Sequence, residues 1–137
     1  MRMENETGST LILFILIRFD YEPGNNHTGK TKMTSKIKIE KWDNTVDGPL
    51  SVETMEKKLR QQGYHCTQYE FSPGTNFPDH THSISKKDSI VTGQFQFSMY
   101  GETVVLNPGD MVEVPKNTVH NAKVVGSKSV IFYDATK

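Results

Sequence analysis

The sequence predicts an all-β domain, an antiparallel barrel with one short helix ahead of it, and three observations predict it. Turn signals divide the chain after Gly63, at Ser72-Pro73-Gly74, Tyr100-Gly101, Asn107-Pro108-Gly109-Asp110 and Val125-Gly126-Ser127. The segment between two of them alternates, with Gln94, Gln96 and Ser98 set against Phe95, Phe97 and Met99, which gives one wet face and one packed face. Branched aliphatic residues fill the remaining segments: Val104, Val105, Val112, Val114, Val124, Val130 and Ile131.

The elements follow in order. Residues 1–35 read as a poorly ordered extension, because Tyr21 to Ser35 is polar, rich in Gly, Asn, Thr and Lys, and broken at Pro23-Gly24. Met33-Thr34-Ser35-Lys36 would itself make a natural start, so the first 32 residues read as an upstream addition. Residues 36–137 form the single domain, since 137 residues build one core and not comfortably two. It opens with a short strand, in which Ile37 and Ile39 alternate with Lys36, Lys38 and Glu40. The turn Asp47-Gly48-Pro49 leads to Ser51 as helix N-cap; Val52, Met55 and Leu59 fall at helical spacing, and Gly63 stops the helix.

Composition excludes several functions. With 16 Lys+Arg against 16 Asp+Glu, no basic stripe is present to displace counterions from a nucleic acid. The apolar stretch Leu11 to Ile17 is far shorter than the ~20 residues of a membrane-spanning helix. It is also a poor signal peptide, because Asp20, Tyr21 and Glu22 follow where a cleavage site should lie. A single cysteine, Cys66, cannot form an internal disulfide and reads as a reduced, half-buried thiol. A soluble, cytoplasmic protein is expected.

Of five histidines, His80 and His82 stand two apart after a Phe-Pro step. On a strand such residues share a face, their Cα atoms roughly 6.5–7 Å apart, so both rings can reach one ion. His120 follows Pro115-Lys116-Asn117-Thr118-Val119, where a turn re-enters a strand. Neutral imidazole suits Zn, Fe, Mn, Ni and Cu. His27 and His65 read as incidental.

Around these histidines the spacing is specific. Gly74 precedes His80-Thr81-His82 by five intervening residues, and Gly93 closes that segment. Gly109 leads through Pro115 and Asn117 to His120. Both segments resemble the two motifs of the cupin family, and the resemblance spans Gly63 to about Asp134. It implies a jelly-roll β-barrel, or double-stranded β-helix, with a metal held by His80, His82 and His120. Three positions depart from the pattern. Asn117 replaces the tight-turn glycine, a mild change because Asn tolerates the left-handed region. Val124 replaces a closing Asn. Lys86 stands where the family's metal-binding Glu stands. The His-Thr-His segment, a short spacer and Lys are similar to a subset of small stand-alone cupins.

Lys86 decides between functions. A dication about 4 Å from an ammonium costs about 8 kcal/mol at an effective dielectric near 20. Either Lys86 points away, or it is neutral, or no metal binds; Asp88, on the same strand parity, could pair with it or reach the ion in place of the Glu. The plain alternative is that Lys86, Lys87 and Asp88 form a solvated charged turn. One functional reading is a mononuclear Zn, Fe, Mn or Ni enzyme, dioxygenase- or isomerase-like, acting on a small organic acid, with Lys86 as catalytic base or carboxylate anchor. The other is a metal-free cupin binding a small molecule or anion in a basic pocket, without catalysis. A homodimer is expected from open sheet edges.

Overall fold

The computed structural model describes residues 34–137, so the expectations for the extension, for Leu11 to Ile17 and for His27 lie outside the described residues. Eleven elements follow in order: β1 Ile39–Glu40, α1 Asn44–Asp47, α2 Val52–Gln61, β2 His65–Phe71, β3 Asn76–His80, β4 Lys86–Thr92, β5 Gln94–Met99, β6 Glu102–Leu106, β7 Met111–Val114, β8 His120–Val125 and β9 Val130–Thr136. The strands form a five-stranded sheet, ordered β1-β7-β4-β9-β2, and a four-stranded sheet, ordered β3-β8-β5-β6, with every pairing antiparallel. This is the expected jelly roll.

Two local expectations need correction. The opening strand is only two residues long, although Ile37 is buried and Ile39 packs on the same core, so the alternation marked the packing and not the length of pairing. A second helical turn, α1, precedes α2. Asp43 caps it by accepting from Thr45 N at 2.9 Å, and the Trp42 indole donates to the Gly48 carbonyl at 2.9 Å. α2 starts at Ser51 as expected, through reciprocal bonds in which Thr54 N donates to Ser51 Oγ and Ser51 N to Thr54 Oγ1.

The five-stranded sheet is covered on both faces. Inside, Ile37, Ile90, Val112, Val114, Val130 and Phe132 meet Phe95, Phe97, Met99, Leu106, Ala122 and Val124 from the other sheet. Outside, Met55 and Leu59 of α2 pack on Val91, Met111, Tyr133 and Ala135. Because successive strand residues alternate faces, β4 sends Lys86, Asp88 and Ile90 inward and Lys87, Ser89 and Val91 outward.

The barrel interior is divided along its axis. At one end Phe71, Phe77, Phe95 and Phe132 fill the space, with Phe71 edge-on to Phe77 at 4.9 Å and Phe95 stacked on Phe132 at 5.4 Å. Since the pairings are antiparallel, the end of β3, the start of β8, the start of β4 and the end of β9 all lie at the opposite end. Those positions carry His80, His120, Lys86 and Asp134.

Candidate metal centre

His80 and His120 are direct cross-strand partners of β3 and β8. They come into line through an irregularity: Phe77 pairs with Ala122 and His80 with His120, so β3 carries one residue more than β8 between the two pairs. Pro78 sits in that bulge, where its missing N–H costs no ladder bond. Its carbonyl is then free to accept from His80 Nδ1 at 2.7 Å. In the same way the Thr118 carbonyl accepts from His120 Nδ1 at 2.9 Å. A carbonyl oxygen only accepts, so Nδ1 carries the proton in both rings, and in the neutral form Nε2 presents its lone pair to the barrel.

His82 lies beyond β3, in the loop to β4, so strand pleating alone does not align the pair as the spacing suggested. The loop is held from across the barrel mouth: Asn117 N donates to the His82 carbonyl at 2.7 Å, and Lys116 N to Ser85 Oγ at 3.0 Å. Asn117 takes φ of 60°, the left-handed conformation expected of a glycine substitute. Gly93 also has positive φ, and a Cβ there would fall 2.5 Å from the Ser129 carbonyl oxygen.

The three rings converge. Centroids lie 4.8 Å apart for His80 and His82, 4.3 Å for His80 and His120, and 5.1 Å for His82 and His120. One ligating atom from each falls within 4.8 Å of the other two. Burial lowers the pKa of His82, helped by the charge of Lys86. Burial also lowers that of His120, against the Thr118 carbonyl bond, which raises it. Both rings are thereby biased towards the neutral form that ligates metal. The set fits a divalent transition ion: three imidazole nitrogens, two of their rings fixed by backbone carbonyls and the third on a braced loop. A zinc, iron, manganese or nickel ion suits these donors.

The wall facing the histidines is built by β4 and β9. Lys86, Lys87 and Asp88 belong to β4 and not to a solvated turn. Lys87 points outward and is buried, donating to Glu40 Oε1 at 2.6 Å and to Gln62 Oε1 at 2.8 Å. Burial works to raise the Glu40 pKa, but the ammoniums of Lys87 and Lys58 outweigh it and lower it. Lys86 points inward and pairs not with Asp88 but with Asp134, Nζ to Oδ2 at 2.8 Å, both side chains more than four-fifths buried. Asp88 is the cross-strand partner of Asp134, and its pKa is pushed up to about 7, first by burial and then by the Asp134 charge, with Lys86 opposing. The other oxygen of Asp134, Oδ1, is buried without a hydrogen-bond partner among the described residues.

Asp134 is a site residue that the spacing of the histidine segments does not mark. Its signal is a lone acid in the inward series Val130, Phe132, Asp134 of an otherwise apolar strand. The remaining candidates lie elsewhere. His65 is exposed at the start of β2, and Cys66 is half-buried with its thiol pKa raised by burial, the opposite of activation. A shallow depression on α2, lined by Glu53, Glu56, Lys57, Arg60 and Gln61, is remote from the histidines. Among the described residues no helix is long and apolar enough to cross a membrane.

Among solved structures, a cupin superfamily protein from Desulfitobacterium hafniense DCB-2 is 16% identical, the match covering 53% of this chain and 65% of that one, at a TM-score of 0.47. The chain thus spans just under two thirds of that protein's length. An RmlC-like cupin from Shewanella frigidimarina NCIMB 400 is 24% identical over 54% of this chain and 67% of its own, at 0.47. A salicylate 1,2-dioxygenase from Pseudaminobacter salicylatoxidans is 22% identical over 53% of this chain and 21% of its own, also at 0.47. No curated protein matches. Residues 67–136, from β2 to the end of β9, match the family described as Cupin domain, and by that match, over half its length, the chain belongs to the cupin-domain family.

Proposed function

We propose that the protein is a mononuclear metal-dependent cupin, in which His80, His82 and His120 hold one divalent transition ion and a small organic molecule reacts at its open positions. The observation that carries this reading is the convergence of three ring nitrogens within 4.8 Å, with two Nδ1 atoms committed to backbone carbonyls. Fixed tautomers and a packed ring, Phe97 lying 5.7 Å from His120, keep the donors preorganised. Bound there, the ion would supply Lewis-acid polarisation or oxygen chemistry.

The chain's own residues set the rest. Burial of His120 and the aromatic fill below it exclude bulk water from one side of the site. Lys86 forms part of the opposite wall, and its ammonium is already matched by Asp134. That pairing weighs against Lys86 as a free anchor for an anion, and so against the metal-free basic pocket. A small organic acid remains within the substrate class, held by something other than an unpaired Lys86. A homodimer belongs to the same reading, through the sheet edges β2, β3 and β6. Equilibrium dialysis against zinc, manganese, nickel and anaerobic ferrous iron tests the proposal: uptake of one ion per chain, lost in His82→Ala, supports it, and uptake equal in both proteins overturns it.

A further inference from the structure

The structural problem at this site is a lysine where the family's pattern has a carboxylate ligand. Lys86 opens β4 at the barrel end that also carries His80 and His120, and an ammonium on that wall repels a dication. The side chain is not free to turn out to solvent, because it points into the barrel and is more than four-fifths buried. Asp88, inward on the same strand, makes no hydrogen bond to Lys86 among the described residues. One carboxylate meets it, from the neighbouring strand β9: Asp134 sits two residues before the Lys86 partner, Thr136, and accepts from Lys86 Nζ at 2.8 Å.

We infer that Asp134 is a positioning residue for the metal centre, clamping the Lys86 ammonium in a neutral pair so that the three histidines can accept a divalent cation. The inference rests on the metal reading above, and extends it to a residue on a different strand that touches no ligand. In the family's pattern a carboxylate at the Lys86 position lowers the charge of the site by direct ligation. Here a cross-strand pair whose sum is zero cancels the ammonium, without the net negative charge that a ligating carboxylate would add. The wall holds a carboxylate, presented by β9 against the ammonium that β4 presents. Asp134 Oδ2 is fully engaged by the ammonium, and Oδ1 makes no other bond among the described residues, so the pairing with Lys86 is the one role its contacts define.

A double-mutant cycle tests this on the full chain, with zinc affinity by isothermal titration as the readout and no activity assay needed. Asp134→Asn keeps the shape and leaves the ammonium uncompensated; zinc binding is expected to weaken at least tenfold. Lys86→Met/Asp134→Asn removes both charges, and affinity is expected to return to within about threefold of wild type. Lys86→Met alone leaves a carboxylate facing the site and is expected to tighten zinc binding severalfold, an arm that stands even if Asp134→Asn does not fold. A merely structural Asp134 would lower the melting temperature of Asp134→Asn without a change in zinc affinity that Lys86→Met reverses. Equal affinity in wild type, Asp134→Asn and Lys86→Met overturns the clamp and leaves the histidine centre standing. Absence of zinc binding in the wild type removes the centre and the clamp with it.

Discussion

His80 and His120 face one another as cross-strand partners, ring centroids 4.3 Å apart, and each donates its Nδ1 proton to a carbonyl two residues earlier in its own chain. The local design is the same on both strands: the backbone that delivers the ring also fixes its tautomer. Long-range nitrogen-15 NMR of the metal-free protein should therefore find the neutral form of both rings protonated at Nδ1. An Nε2-protonated form for either ring would remove the anchoring.

Asp88 makes the wall of the barrel sensitive to pH. Its folded pKa, about 7, lies above its ordinary 3.8, so the folded state holds the proton more tightly than the unfolded chain. The sign follows: its contribution is complete below 3.8 and is lost as pH rises through about 7. Asp88→Asn should abolish that loss. Relative to wild type it should gain stability between pH 5 and pH 8, by a few kcal/mol at most. Urea unfolding of both proteins across that range measures the difference, in which the opposing effect of the lowered His82 and His120 pKa values, a gain of stability as pH rises below 6.5, cancels. Parallel curves would contradict the burial of Asp88.

Gly93 joins β4 to β5 at φ 79°, with no room for a side chain against Ser129 and Val130. Gly93→Ala adds left-handed strain to a backbone clash, and a cost of about 2–4 kcal/mol is expected in chemical unfolding. A cost under about 0.5 kcal/mol would mean that the turn relaxes freely.

Asn117 holds a left-handed backbone and donates its N–H to the His82 carbonyl. Asn117→Gly preserves both features and should leave metal affinity within about twofold and stability unchanged or slightly higher. Asn117→Ala should cost about 1 kcal/mol, because a side chain without a local polar group tolerates this conformation poorly. Unfolding and zinc titration on the two variants check the pair of outcomes.

Legibility differed from strand to strand for a physical reason. β5 has one packed face and one wetter one, so Phe95, Phe97 and Met99 stood out at once against Gln94, Gln96 and Ser98. β4 and β9 are sandwiched between the barrel core and α2, and strands covered on both sides lose their alternation. A charged turn therefore stood as the plain alternative for Lys86, Lys87 and Asp88, although Lys87 is buried against Glu40 and Gln62 on the outer face while the other two face inward. For the same reason nothing marked Asp134 as inward until its register with Asp88 was known. The histidines were legible because two glycine-framed segments bracket them, whereas the bulge at Pro78 and the loop position of His82 depend on pairing that spacing alone does not encode.

The most direct test of the account is zinc titration of tag-free wild type beside His80→Ala, His82→Ala and His120→Ala. Binding of one ion per chain to wild type, weakened at least a hundredfold in each variant while the fold persists, is the predicted result. Wild type that binds no ion, or variants that bind as wild type does, would contradict a metal centre built on these three histidines.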